Sequence, residues 1–427
     1  MKNVVYCIAF LIIASCNNRK INSITNPSDY ETYLVSSPTE TTSKYFELWN
    51  SKINTDSVQL LSFPNVAGEY SRFFKKTGDI KYLRKAEKAL VKAVEIANIN
   101  KAAYRRALSR NYISQHRFKE ALALAEEAAE LGGGKKNTQS LLFDVHMELG
   151  NYDQAEKYLD SIKNMSDFGY LIRIAKWNDY KGNLDTTIHF MEKAMAKAES
   201  SKNKTLLLWS YSNIADYYGH AGRIQDSYKY YLKTLELDSE NAYAKKGIAW
   251  IVFSHEKNGK EALRILDAVT ENYNAPDYYL LKAEISAYKN DKIGVTSNMD
   301  KYYSTIQRDS YAYGDMYNAY DIEFYLNHTQ QYDKALNIAL KEVVHRPTAE
   351  AYGLLANVYH KMGKSKVALE LVEKHIVGKT FEPAILLQAA KVYKANNQMN
   401  KVAELKLELK GAVYELGPTS EKEIEQL

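Results

Sequence analysis

The chain has 427 residues, 45% apolar and 26% charged, which fits a folded soluble body and excludes disorder as its main state. Its 57 Lys and Arg against 52 Asp and Glu leave a net charge of +5, too thinly spread to point to a nucleic-acid partner. The only cysteines are Cys7 and Cys16, so no thiolate metal cluster, disulfide framework or cysteine nucleophile can form beyond position 16.

At the start of the chain, Met1-Lys2-Asn3 supplies a positive charge and residues 4–13 form an apolar run. A helix needs about 20 such residues to cross hydrocarbon, so this segment reads as an export signal and not as a permanent span. The stretch Leu11-Ile12-Ile13-Ala14-Ser15-Cys16 resembles the bacterial lipobox, in which an aliphatic residue and two small ones precede a cysteine that is acylated and becomes the mature N-terminus. The resemblance implies a signal peptide over residues 1–15, lipidation of Cys16 with palmitate-type chains, and firm membrane attachment. Each buried methylene contributes roughly 0.8 kcal/mol, so two or three chains hold far better than one. Position 17 is Asn, where inner-membrane lipoproteins carry Asp, and Asn17-Asn18-Arg19-Lys20 lacks the acidic cluster of surface-exported Bacteroidetes lipoproteins. Outer membrane, facing the periplasm, is the address this implies.

Residues 16–43 are rich in Asn, Ser, Thr and Pro, as in Asn26-Pro27-Ser28 and Ser36-Ser37-Pro38-Thr39, and read as a flexible membrane tether. Residues 44–63, with Trp49 and Leu60-Leu61, are expected to form an N-terminal cap over the helices that follow.

From residue 64 to 410 one pattern recurs: a glycine, a polar residue and an apolar one, with a small residue three positions later. It occurs as Gly150-Asn151-Tyr152 with Ala155, Gly182-Asn183-Leu184 with Thr187, and Gly222-Arg223-Ile224 with Ser227. Gly363-Lys364-Ser365 with Ala368 is a looser copy, while Phe118 with Ala121 and Tyr332 with Ala335 repeat only the second half. Upstream of the glycine, Tyr211, Ile214, Ala215 and Tyr218 match Tyr352, Leu355, Ala356 and Tyr359 in spacing. Pro347 follows Ala335 by twelve positions.

This set resembles the tetratricopeptide repeat, W-x2-L-G-x2-Y followed by A-x3-F and a terminal proline. The small-residue position falls at Leu83, Ala121, Ala155, Thr187, Ser227, Ala262, Ser297, Ala335, Ala368 and Ala403, an average spacing of about 36 residues. Ten units of paired helices are expected. Apolar spacing agrees, as in Ala86, Leu90, Ala93 and Ala97, and in Ala121, Leu124, Ala125 and Ala128. The fold class is therefore all-α, a tetratricopeptide-like α-solenoid, and the resemblance implies a right-handed superhelix with a concave groove. Residues 411–427, interrupted by Gly417-Pro418, read as a polar C-terminal tail.

No catalytic constellation emerges. His255-Glu256-Lys257-Asn258-Gly259 begins like the zinc-protease signature but has glycine where the second histidine must stand. Gly132-Gly133-Gly134-Lys135-Lys136-Asn137 lacks the earlier glycine and the hydroxyl residue of a phosphate loop. His345, His360 and His375 fall on different helices, and no carboxylate pair stands out for acid/base work. No cofactor or metal site is nominated. Tyr152, Tyr218, Tyr231, Tyr332 and Tyr359, among 35 tyrosines, occupy core positions of the repeat.

In the family, positions two, five, nine and twelve of each first helix line the groove. Projected here, these include Arg106, Arg110, Asp144, Lys176, Trp209, Asp216, Tyr243, Lys246, Trp250 and Asn357. Cations mixed with aromatics suit a peptide-binding groove. The lysine-and-asparagine clamp for a C-terminal carboxylate is incomplete, with Gly353 and Asn357 at those places. The whole resembles tetratricopeptide lipoproteins of flavobacterial type and implies a membrane-anchored scaffold without catalysis, whose partner is an envelope protein or peptide. The alternative is a glycan-binding outer-membrane lipoprotein resembling the starch-uptake family. That family interrupts its repeats with long insertions, for which the largest gap here, about 40 residues between Thr187 and Ser227, leaves no room.

Overall fold

The computed structural model describes residues 23–35, 40–53 and 58–427, and the regular elements among them are helices. Cys16 and the signal segment lie outside the described residues. Two short helices come first, α1 (Pro27–Tyr30) and α2 (Lys44–Asn50). Helical hairpins follow: α3 (Ser62–Thr77) with α4 (Ile80–Ile96), α5 (Lys101–Ser114) with α6 (Phe118–Glu130), and α7 (Lys135–Glu148) with α8 (Tyr152–Ser161). Next come α9 (Phe168–Tyr180) with α10 (Leu184–Ser201), α11 (Lys204–His220) with α12 (Ile224–Leu237), α13 (Ala242–Trp250) with α14 (Gly259–Thr270), and α15 (Asp277–Tyr288) with α16 (Lys292–Arg308). After the single turn α17 (Ser310–Tyr313), the last hairpins are α18 (Asn318–Asn327) with α19 (Tyr332–His345), α20 (Ala349–Lys361) with α21 (Ser365–His375), and α22 (Pro383–Ala395) with α23 (Met399–Gly411). The chain closes with α24 (Val413–Leu416) and α25 (Pro418–Glu425).

Each hairpin reverses through one residue in the left-handed region. Five are glycines, Gly78, Gly150, Gly182, Gly222 and Gly363, with φ from 64° to 76°. At the other five turns His116, Lys257, Asn290, Gln330 and Asn397 hold φ between 53° and 61°. A side chain there costs roughly 1 kcal/mol or more, which the packing of the two helices absorbs. A glycine-based signature therefore finds only half of the turns.

The small-residue positions all fall on second helices, and eight of the ten are buried between the helices of their hairpin. Ser297 and Ala403 are exposed instead, and Asn298 and Val402 take the inward place. In α16 the shift follows Asn298, whose Nδ2 donates to Gly294 O at 2.8 Å and sets the buried stripe one residue later. Pro347 lies in the link between α19 and α20, and the Thr348 hydroxyl caps α20 by accepting from Ala351 N.

First helices of neighbouring hairpins approach one another, as α5 does α7 and α20 does α22, which puts them on the inside of the curve. The curve completes a turn within the chain. Asn274 N donates to Thr77 O at 2.7 Å, and Arg84 Nε to Ala312 O at 2.7 Å. Arg346 lies 3.7 Å from Glu148, and the ring of Phe381 sits 2.6 Å from where a Cβ on Gly182 would stand. These partners are about 200 residues apart, so roughly five to six hairpins make one turn and the second turn rests on the first. The groove expected of an open superhelix is here an internal channel.

Residues 23–35, expected in a flexible tether, and residues 411–427, expected as a polar tail, both fold onto the solenoid. Residues 23–35, placed within the tether, dock on the convex side against α12 and α14. Glu256 accepts from Ile24 N at 2.8 Å, Thr25 N at 2.7 Å and the Thr25 hydroxyl at 3.0 Å. Tyr30 is 1% exposed and donates its hydroxyl to Glu261 at 2.8 Å, while Arg264 pairs with Glu31 at 2.8 Å. The acid of the truncated zinc-protease pattern thus fastens the N-terminal segment. The polar tail also folds: Ile424 and Leu427 are buried in the terminal core with Tyr393 and Leu409. With Val413 and Leu416 packed beside them, these side chains cover the apolar face of α22 and α23.

Candidate functional site

The channel wall is built from side chains one turn apart on successive first helices, and these pair across the hairpin boundaries. Arg173 reaches Asp144 at 2.5 Å, Lys176 reaches Glu148 at 2.7 Å, and the Tyr217 hydroxyl lies 3.5 Å from Asp179. Asp216 accepts from Tyr231 and, at 2.5 Å, from Tyr243. Further along, Lys246 pairs with Asp277 at 2.8 Å, and Asn357 donates to Glu323 at 3.0 Å. Such a ladder fixes the angle between neighbouring units while leaving charged groups turned to the interior.

Of the residues projected onto the groove, Asp144, Lys176, Asp216, Tyr243, Lys246 and Asn357 belong to this ladder, with Arg110 solvent-facing beside Asp144 and Arg173. Trp250 donates its indole N–H to Tyr414 O at 3.1 Å. Trp209 is half-exposed and meets Phe168 edge-on at 5.9 Å. Arg106 departs from the projection: it is 8% exposed and donates to Gly133 O at 2.9 Å and to the Thr138 hydroxyl at 3.0 Å. It therefore pins the triple-glycine loop between α6 and α7 and offers nothing to a ligand. Asn357, 2% exposed, gives its Nδ2 to Glu323, while its Oδ1 is buried without a hydrogen-bond partner.

Enclosure changes the acids of the wall. Burial raises the pKa of Asp179, Asp216 and Glu323 and pushes Glu284 and Glu382 up to about 7, in Glu382 with help from Glu415 and Glu350. Burial works against ionisation at Glu148 too, yet Lys176 and Arg346 hold it below the usual range. Of these, the projection contained only Asp216. The family positions found the others' neighbours, but whether an acid is desolvated depends on the second turn closing over the first.

Part of the channel is filled by the chain itself. Tyr414 packs on Gly219, where a Cβ would meet its ring at 2.8 Å, and its carbonyl accepts from Trp250 Nε1 and, at 2.6 Å, from the Ser254 hydroxyl. Trp250 and Ser254 are set by a π-helical turn, Ile251–His255, that widens the end of α13. Gly417, at φ 79° and ψ 164°, passes between Trp250 and Glu284, where a Cβ would stand 3.0 Å and 2.9 Å from them. Only glycine fits there. Thr419 donates to Glu284 at 3.1 Å, and Glu415 lies 3.8 Å from the His220 ring.

Residues 112–166, from the end of α5 through α8, match the tetratricopeptide repeat family. The fold is a tetratricopeptide-type solenoid. Solved structures similar to the chain include the following two. A tetratricopeptide repeat protein from Parabacteroides merdae is 17% identical over 55% of this chain and 93% of its own, with a TM-score of 0.39. Yeast Tom70 is 14% identical over 86% of this chain and 93% of its own, with a TM-score of 0.36. No curated protein matches the chain.

Proposed function

We propose that this tetratricopeptide-type solenoid is a lipid-anchored scaffold of a bacterial envelope that holds segments of partner polypeptides inside its channel, without catalysis. The observation that supports this best is the manner in which the channel holds Tyr414. Two side-chain donors, Trp250 Nε1 and Ser254 Oγ, converge on a main-chain carbonyl, a contact that any peptide can supply.

Anchoring rests on the lipobox resemblance at Cys16, and outer-membrane placement facing the periplasm on the residues after it. Ser23, which is docked, lies seven positions after Cys16, a reach of at most about 25 Å when fully extended. An acylated Cys16 would therefore hold the convex face near α12 and α14 close to the bilayer. A partner bound to the same membrane then meets the scaffold at raised effective concentration.

Two measurements test the parts separately. Cys16→Ser should move the protein from the membrane pellet to the soluble fraction, and an unchanged distribution defeats the anchor. A photo-crosslinking side chain at Lys246, inside the channel, should capture polypeptide partners in whole cells, whereas one at Tyr311, 95% exposed, should not. Equal yields from the two sites defeat the scaffold.

A further inference from the structure

A cavity of about 390 Å³ opens in the channel wall between α13, α15, α16 and α18. Trp250, Leu281, Tyr320 and Phe324 supply much of its surface, and Glu284 and Glu323 line it from α15 and α18. The exposed Asn327 also lines it, so the cavity communicates with solvent.

Its charges do not balance. Lys246 and Asp277, on the same wall, neutralise one another at 2.8 Å. That leaves two carboxyl groups whose direct partners are neutral: Thr419 on Glu284 at 3.1 Å, and Asn357 and Asn327 on Glu323 at 3.0 and 2.7 Å. Among the described residues no cation pairs with Glu284, and Lys391 and Lys361 act on Glu323 from further off. Burial accordingly pushes both carboxyls towards the neutral form. A larger cavity, about 1050 Å³, lies between the two turns; there Lys81 pairs with Asp79, Arg84 and Arg117 with Glu87, and Arg308 with Asp309, while Lys85 and Lys88 also line it, so it carries the opposite sign of charge.

We infer that the smaller cavity receives a lysine or arginine side chain from the polypeptide held in the channel, with Glu284 and Glu323 as counter-charges and Trp250 and Tyr320 as walls. This rests on the channel being the docking surface. The guest's apolar stem covers Leu281 and Phe324, and its cationic head meets both the carboxylates and the aromatic faces. A bare metal ion fits less well, since among the described residues no three His, Cys, Asp or Glu side chains converge. An acidic guest meets like charge.

The test is calorimetric titration of the full chain with blocked tetraarginine, tetraglutamine and tetraglutamate peptides and with maltoheptaose. Tetraarginine alone should bind saturably, and Glu284→Gln with Glu323→Gln should weaken it at least tenfold. Glu126→Gln, on the exposed face of α6, should leave it unchanged. Equal binding by the double variant, no saturable binding, or saturable maltoheptaose binding lost in Trp250→Ala overturns the inference. Should the double variant not fold, carbodiimide coupling of tetralysine to the unaltered chain decides: a bond to Glu284 or Glu323 supports the cavity, and bonds only elsewhere refute it. Partners that crosslink at Lys246 as well in the double variant as in the parent leave the scaffold standing and remove the cavity's role. Tetraarginine held by the two acids, with no preference for Lys246 over Tyr311 in crosslinking, does the reverse.

Discussion

Alanine at Gly247 is expected to lower stability by about 2–4 kcal/mol, although alanine favours a helix over glycine by roughly 1 kcal/mol. Gly247 lies on α13 against α12, and a Cβ there would stand 2.2 Å from Tyr231 Cζ and 2.5–2.6 Å from its ring neighbours. The ring has nowhere to go. It is buried, and its hydroxyl is tied to the Asp216 carboxyl, which Tyr243 holds from the other side. The hairpins must therefore part, or the Tyr231 hydrogen bond to a buried acid must break, which costs roughly 1.5–3 kcal/mol by itself. Hydrogen exchange should show the loss first in α12 and α13, since neighbouring units stabilise one another in a linear array. A Gly247→Ala protein with parental protection there would mean that the two helices separate without cost, contrary to this packing.

Removing residues 412–427 is expected to have an effect of similar or larger size, about 3–6 kcal/mol. Burial of Ile424 and Leu427 contributes roughly 1.5–3 kcal/mol each, and their loss uncovers Tyr393 and Leu409. The shortened chain also loses Lys391–Glu423 at 2.7 Å and the contacts of Tyr414 in the channel. Two readings should change together. The melting temperature should fall by several degrees, and the emission of Trp250, released from the tail, should shift to the red. A lower melting temperature with unaltered emission would show that the tail only covers the terminal core and does not occupy the channel.

How far the pattern of residues could be read is clearest at the hairpin turns. Gly150, Gly182, Gly222 and Gly363 announced their turns, because glycine is the residue that takes positive φ without strain. His116, Lys257, Asn290, Gln330 and Asn397 adopt the same conformation under the pull of the helices on either side, and their identities carry no such mark. Asp216, Lys246 and Trp250 were projected onto the groove by their places on the first helices, and the structure sets them on the channel wall. Arg106 was misplaced by the same projection, because its partners, Gly133 O and the Thr138 hydroxyl, lie in the link to the next hairpin and on its first helix. Glu284 and Glu323 went unnoticed: nothing in their neighbours along the chain tells that other hairpins surround them.

The division follows from distance along the chain. Helix hydrogen bonds, the apolar stripe and the return of each pair after about 36 residues are all made within one unit, so ten hairpins could be counted from composition and spacing alone. Closure of the channel and docking of residues 23–35 need residues about 200 positions apart to meet, and the C-terminal segment reaches Glu284 across 135. That meeting depends on small rotations at each junction between hairpins, summed over a whole superhelical turn. A slight change at every junction leaves each repeat's pattern intact and yet opens the channel or shuts it.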